Sequence, residues 1–182
     1  MLLPKERVTA HDVHYTKTFR RRFISSMSDD IAHMVVCSPF FDKLPAPFND
    51  LLGFCSFLNR RGTDSINIIT RPPGADPQAM KLDVARRLAA QGVRIFIRAS
   101  PYLHAKVYHF EYRKGYYRTF IGSSNFTVGG FERNHEVVSE VEGVGVGSAC
   151  HREIARMEEL GGAQTFEAWI VNGQPKGELG EI

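Results

Sequence analysis

The apolar positions of this chain fall into short periodic blocks separated by proline, glycine and polar punctuation. The first thirty residues are polar overall and include Arg20-Arg21-Arg22. Within them, Phe19, Phe23, Ile24 and Met27 recur at spacings of three and four, which predicts a helix over Thr16 to Met27. Ile31 to Ser38 is a compact apolar run halted by Pro39, the profile of a buried strand. Asn49 is placed to cap a helix running to Arg61, with Leu51, Leu52, Phe54, Cys55 and Leu58 as its stripe and Gly62 as its stop. Ser65 to Thr70 then reads as a strand. Asp76 before Pro77 has the form of an N-cap with proline at the first helical position, predicting a helix over Gln78 to Gln91 with Met80, Val84 and Leu88 on one face. Gly92 ends that helix, and Val93 to Ile97 is a third strand.

This strand–helix alternation predicts an α/β fold with a mostly parallel central sheet flanked by helices on both faces. The pattern then changes. His104 to Tyr112 and Tyr116 to Ile121 are strand-like runs joined by Arg113-Lys114-Gly115, a hairpin that makes the sheet mixed. Gly122 to Thr127 is a loop, and Asn134 to Val141 is a further strand. Ser148 is placed to cap a helix over Ala149 to Leu160, which Gly161-Gly162 breaks, and a short helix follows around Thr165 to Val171. Residues 172–182 have the composition of a flexible tail or linker, so one domain over residues 1–171 is expected.

At 182 residues with 43% hydrophobic and 24% charged positions, the chain has room for a single substantial core and is not of disordered type. No apolar run approaches the roughly 18 residues of a membrane span. The first residues hold no continuous apolar stretch of the kind a secretory leader needs, and the three cysteines, Cys37, Cys55 and Cys150, suit neither a disulfide framework nor a zinc site. A reducing, cytoplasmic setting is therefore expected. The net charge of +3 is small but unevenly placed: between Val84 and Arg118 there are eight basic residues against the single acid Glu111. Such a run either meets a polyanion or forms ordinary solvated faces.

The residues with chemical promise lie between Leu103 and Val137. His104 and Lys106, two apart on an expected strand, project to the same side. A neutral imidazole attacks phosphorus or shuttles a proton, and an ammonium beside it neutralises a phosphate oxygen. Gly122-Ser123-Ser124-Asn125 offers backbone N–H groups, hydroxyls and an amide after a strand, all suited to phosphate oxygens. Glu136, on a later strand, is a candidate to fix the orientation of an imidazole. Singly, each is weak: a strand histidine is commonly structural and a GSSN loop is commonly a turn.

As an ordered set these residues resemble the phospholipase D superfamily, whose signature is H-x-K, a carboxylate after four more residues, a G-S-x-N segment, and in its nucleases a glutamate some eleven residues later. The matching residues are His104, Lys106, Ser123, Asn125 and Glu136, and the resemblance extends over roughly Ala32 to Leu160. Glu111 stands where the family has aspartate, a position that is mainly structural there. The resemblance implies a phosphodiesterase that uses no metal or other cofactor. With one HxK motif in the chain, it also implies a homodimer whose two copies of His104 meet at one site, one as nucleophile and the other as general acid. Lys106, Asn125 and Ser123 would stabilise charge on phosphorus, and Glu136 would orient a histidine.

For substrate, the resemblance points to the small single-motif nucleases and the catalytic domains of metal-independent restriction endonucleases. DNA is the expected partner, double-stranded or single-stranded, with a C-terminal DNA-recognition domain expected beyond the tail. Arg94, Arg98, Arg113, Lys114 and Arg118, interleaved with tyrosines, are the candidate DNA contacts, and a tyrosine-packed hairpin is the plain alternative. Phospholipid phosphodiesterase or phosphatidyltransferase activity, and a noncatalytic nucleic-acid-binding module, are the competing functions. No amphipathic stretch rich in Trp and Lys speaks for a lipid interface.

Overall fold

The computed structural model describes residues 7–100, 103–144 and 164–172. The chain runs β1 (Arg7–Tyr15), α1 (Thr16–Ser26), β2 (Ile31–Cys37), α2 (Leu51–Arg60), β3 (Ser65–Thr70), α3 (Leu82–Ala90), β4 (Arg94–Ile97), β5 (Val107–Tyr112) and β6 (Tyr116–Gly122). A π-helical turn (Gly129–Arg133), β7 (Val137–Val144), β8 (Gln164–Thr165) and α4 (Phe166–Val171) follow. All eight strands form one mixed sheet in the order β1-β7-β6-β5-β2-β3-β4-β8.

The strand–helix–strand units behave as their patterns require: β2, β3 and β4 pair in parallel through the crossovers α2 and α3. Parallel pairing ends there. The other ladders, β2–β5, β5–β6, β6–β7, β7–β1 and β4–β8, are antiparallel, so the sheet is mixed but not mostly parallel. Two of the strands responsible, β1 and β8, have no apolar periodicity to announce them. In β1 only His14 is buried, because an edge strand that rests on an ionic contact buries no alternating apolar face. That contact is His14 Nε2 to Glu140 Oε2 at 2.5 Å, and Arg22 Nε donates to the same oxygen at 2.9 Å. Burial alone would push the Glu140 carboxyl up, but the bonds from Arg22 and His14 hold it below the usual carboxylate range.

Two helix starts differ from the sequence expectation. Asp50, not Asn49, caps α2, its carboxylate accepting from Gly53 N at 2.7 Å, while Asn49 takes a left-handed φ of 66°. Asp76 caps only one turn, accepting from the Gln78 and Ala79 N–H groups, and Lys81 is extended before α3 begins.

The core is aromatic. Phe19 and Phe23 of α1 meet Phe54 of α2, Tyr108 and Phe110 of β5, and Phe120 of β6 on one face of the sheet. Phe126 and Phe131, on either side of the π-helical turn's start, enter the same cluster, with Phe23 to Phe131 at 4.9 Å between ring centroids. The loop after Ser123 is thereby tied into the core at both ends, which fixes it far better than hydrogen bonds alone. The opposite face carries a smaller cluster of Val35, Cys37, Ile69, Phe96 and Leu103. The helix expected over 149–160 and the tail over 173–182 lie outside the described residues, so the described helices α1 to α3 speak for one face only.

Candidate active site

Register places the chemistry. Cys37 pairs with Val107, Val107 with Ile121, Gly122 with Val138, and Val137 with Tyr15, so five strands bring one end of each to a common edge of the sheet. The parallel strands β3 and β4 end at the same edge. Ligands of open α/β sheets bind beyond the carboxyl ends of their parallel strands, and this edge is that place. His104 and Lys106 arrive there just before β5, Ser123 and Asn125 just after β6, and Glu136 just before β7.

Two pairs stand out at this edge. Lys106 Nζ lies 2.9 Å from His104 Nδ1 and 3.3 Å from Nε2; a neutral imidazole has one acceptor nitrogen, so the ammonium, which can only donate, bonds the nearer Nδ1 and leaves the ring proton on Nε2. His104 is exposed, whereas Lys106 is 6% exposed. Burial holds the Lys106 ammonium below the ordinary lysine value, and the charge of Arg71 lowers it further, against the opposing pull of Glu136. The second pair is Ser123 and Glu136: the hydroxyl donates to Glu136 Oε2 and accepts from Val137 N at 3.1 Å. Asn134 Nδ2 donates to Glu136 Oε1 at 3.1 Å, and Glu136 N donates to Thr16 Oγ1 at 3.0 Å. Glu136 therefore spends its carboxylate on Ser123 and Asn134, and no imidazole of the described residues bonds to it.

Asn125 shows a buried Oδ1 with no hydrogen-bond partner, the kind of group that substrate or water satisfies. Glycines allow this packing. A Cβ on Gly122 would stand 2.3 Å from Val137 O, and one on Gly130 would stand 2.2 Å from Asn125 O, so only glycine lets β6 and the π-helical turn approach so closely. Ser124 is structural, donating to Gly130 O at 2.9 Å while its own carbonyl accepts from Tyr108 OH.

No motif marks Arg71, which stands before Pro72-Pro73. Its guanidinium is buried, donates from Nε to Leu103 O at 2.9 Å, lies 3.5 Å from Asp76 and stacks 4.6 Å from the centre of the Phe40 ring. It holds the backbone immediately before His104 and acts electrostatically on Lys106. Replacing Arg71 with Met should move the Lys106 titration back toward the ordinary lysine value. NMR of ¹³Cε-labelled lysine checks this, and an unmoved Lys106 resonance would contradict it.

The five proposed DNA-contact cations are not gathered at this edge. Arg113 and Lys114 lie in the turn at the far end of the β5–β6 hairpin, about 20 Å away at 3.3 Å per residue. Arg113 is engaged there by Asp64 at 2.7 Å and Asp30 at 3.3 Å. Arg118 meets Glu140 and Glu142 at 2.9 and 2.5 Å. Arg94 starts β4 at the far edge and stacks on Phe96 at 5.2 Å, and only Arg98 lies at the site's end of the sheet. Glu111 sits within β5, 3.5 Å from His109 and away from the HxK residues.

Residues 30–158 match the family model described as cardiolipin synthase, PLD-like domain. No curated protein sequence matches significantly. Among solved structures, the phospholipase D family member Nuc from Salmonella typhimurium superposes with a TM-score of 0.60 at 15% identity, over 89% of this chain and 99% of that one. The phosphatidylserine synthase of Haemophilus influenzae Rd KW20 gives 0.56 at 10% identity, over 85% of this chain but 39% of that one. NucT from Helicobacter pylori gives 0.46 at 14% identity over 75% and 86%. The first two likenesses establish the fold. Among the described residues no helix is long and apolar enough to cross a membrane.

Proposed function

The chain belongs to the PLD-like domain family, and from that premise we propose that it is a metal-independent DNA endonuclease acting as a homodimer. The observation that carries this reading is the exposed His104 imidazole held against the buried Lys106 ammonium, on the same sheet edge as Ser123, Asn125 and Glu136. In the reaction, a ring nitrogen of His104 attacks phosphorus, forming an N–P bond as the P–O bond to the leaving nucleoside breaks. The leaving oxygen takes a proton from His104 of the second copy. That imidazole then removes a proton from water, which attacks phosphorus, breaks the N–P bond and frees His104. Lys106 and the Asn125 amide oppose the charge growing on the phosphoryl oxygens, the work that a divalent ion does elsewhere.

The homodimer is supported by arithmetic: the scheme needs two imidazoles in different protonation states, and the chain has one HxK motif. Glu136, already held by Ser123 and Asn134, serves here to position the Ser123 hydroxyl. The finer assignment, the catalytic domain of a restriction endonuclease followed by a separate DNA-reading domain, rests on the resemblance of the HxK, GSSN and Glu136 set.

Plasmid cleavage should persist in excess EDTA. Loss of cleavage on chelation, restored by added divalent ions, would overturn the metal-independent mechanism. Release of headgroup from phospholipid vesicles without nicking of DNA would assign the same residues to lipid chemistry.

A further inference from the structure

β1 delivers Tyr15 beside Val137, and Thr16 opens α1 while its hydroxyl donates to Asn134 O at 2.5 Å and accepts from Glu136 N at 3.0 Å. Across from it, the π-helical turn packs on α1 through Phe19 and Phe131, whose ring centroids are 5.0 Å apart. Between these two elements lies a surface groove of about 320 Å³, within the range of small-ligand sites, lined by Tyr15, Lys17, Thr18, Arg133, Asn134 and His135 among others. It adjoins the Ser123–Glu136 pair through Thr16 and Asn134, which line the groove and bond to Glu136.

The groove carries net positive charge. Arg22, Arg113 and Arg118 are all taken up by carboxylates. Lys17 and Arg133 are exposed and have no carboxylate partner among the described residues. The groove's one acid, Glu132, is held by Arg20 at 2.8 Å, and the first turn of α1 has no acidic residue. Tyr15 is 68% exposed, an aromatic face presented to solvent. An exposed ring beside two uncompensated cations is the chemistry that takes an unpaired nucleotide: the base stacks, and the cations meet its phosphates.

We propose that this groove holds the nucleotide flanking the scissile phosphate in a single-stranded nucleic-acid segment, with the base on Tyr15 and a phosphate between Lys17 and Arg133. The proposal rests on the nuclease reading and gives it a strand path. The strand runs from His104 across the Ser123–Glu136 pair to the start of α1, away from the Arg113-Lys114 turn.

Binding of a fluorescein-labelled oligothymidylate to the His104→Ala protein, followed by anisotropy across a salt series, tests it. Tyr15→Leu should weaken binding about tenfold, with Tyr15→Trp restoring it, because stacking needs the ring and not the hydroxyl. Lys17→Ala with Arg133→Ala should flatten the plot of log affinity against log salt by about 0.7, the share of the one phosphate they hold. All these side chains are exposed, so thermal melting should stay at the parent value. Unchanged affinity and slope, with the parent that keeps His104 cleaving DNA, would overturn the groove and leave the nuclease reading standing. A parent that neither binds nor cleaves DNA would overturn both. Variants that instead dissociate the dimer in sedimentation would make the groove a subunit contact and overturn the proposal.

Discussion

His104→Ala should lose at least about 10⁴-fold in DNA cleavage, because proton transfer alone is worth up to that factor and the same residue also supplies the nucleophile. The loss should leave the fold untouched. His104 is exposed, its one hydrogen-bonding partner among the described residues is Lys106, and surface substitutions of this kind cost within about 0.5 kcal/mol. The sharper form of the experiment mixes parent and His104→Ala subunits in equal amounts and lets them reassort. If both imidazoles of a pair are needed, only dimers with two parent chains act, and about a quarter of the activity survives. If each chain works alone, half survives. A variant retaining cleavage, or a mixture retaining half, would remove the shared site from the proposed mechanism.

The parts of this site that sequence could reveal were those whose meaning is local. His104, Lys106, Ser123 and Asn125 lie close to strand ends, and their spacing alone marks them. The helix α1 was legible for the same reason, since Phe19 and Phe23 recur with a helical period and do enter the core. What was hidden depends on partners far along the chain. Thr16 reaches Glu136 across 120 residues, and no pattern near Thr16 records it. β1 hides because its single buried side chain, His14, is polar and rests on Glu140. Arg71 carries no local signal because its role lies in a carbonyl 32 residues away.

The basic run is hard to weigh from sequence for a related physical reason. Sequence counts charges, but a surface potential depends on the charges left after pairing. Arg113 belongs with Asp64, and Arg118 with Glu140 and Glu142, so these two arginines of the run add little free positive charge. The parallel half of the sheet was foreseen because crossover helices leave strong periodic blocks. The antiparallel half was undercounted because edge strands do not.

Lys106→Met should lower cleavage about 10²- to 10³-fold, the usual loss when one preorganised charge is taken from a developing oxyanion. Its effect on stability should run the other way. The folded protein binds the Lys106 proton less tightly than the unfolded chain does, mainly through burial and then through the charge of Arg71. Below its folded-state pKa the lysine is charged in both states, and the folded state bears the cost of holding that charge out of water. Between the folded value and the ordinary 10.5 the unfolded chain binds the extra proton, so stability rises with pH in that window. Methionine, similar in length and uncharged, removes both the cost and the slope. The melting temperature of Lys106→Met at pH 7 should therefore equal or exceed the parent's, while activity collapses. In the parent, cleavage should fail on the alkaline side at a lower pH than a free lysine would dictate, because the buried ammonium gives up its proton early. Melting curves at pH 7 and pH 10, set beside the pH–rate profile, check all three expectations. A Lys106→Met protein that melts well below the parent would make Lys106 a structural residue, and one that cleaves at the parental rate would remove it from the chemistry.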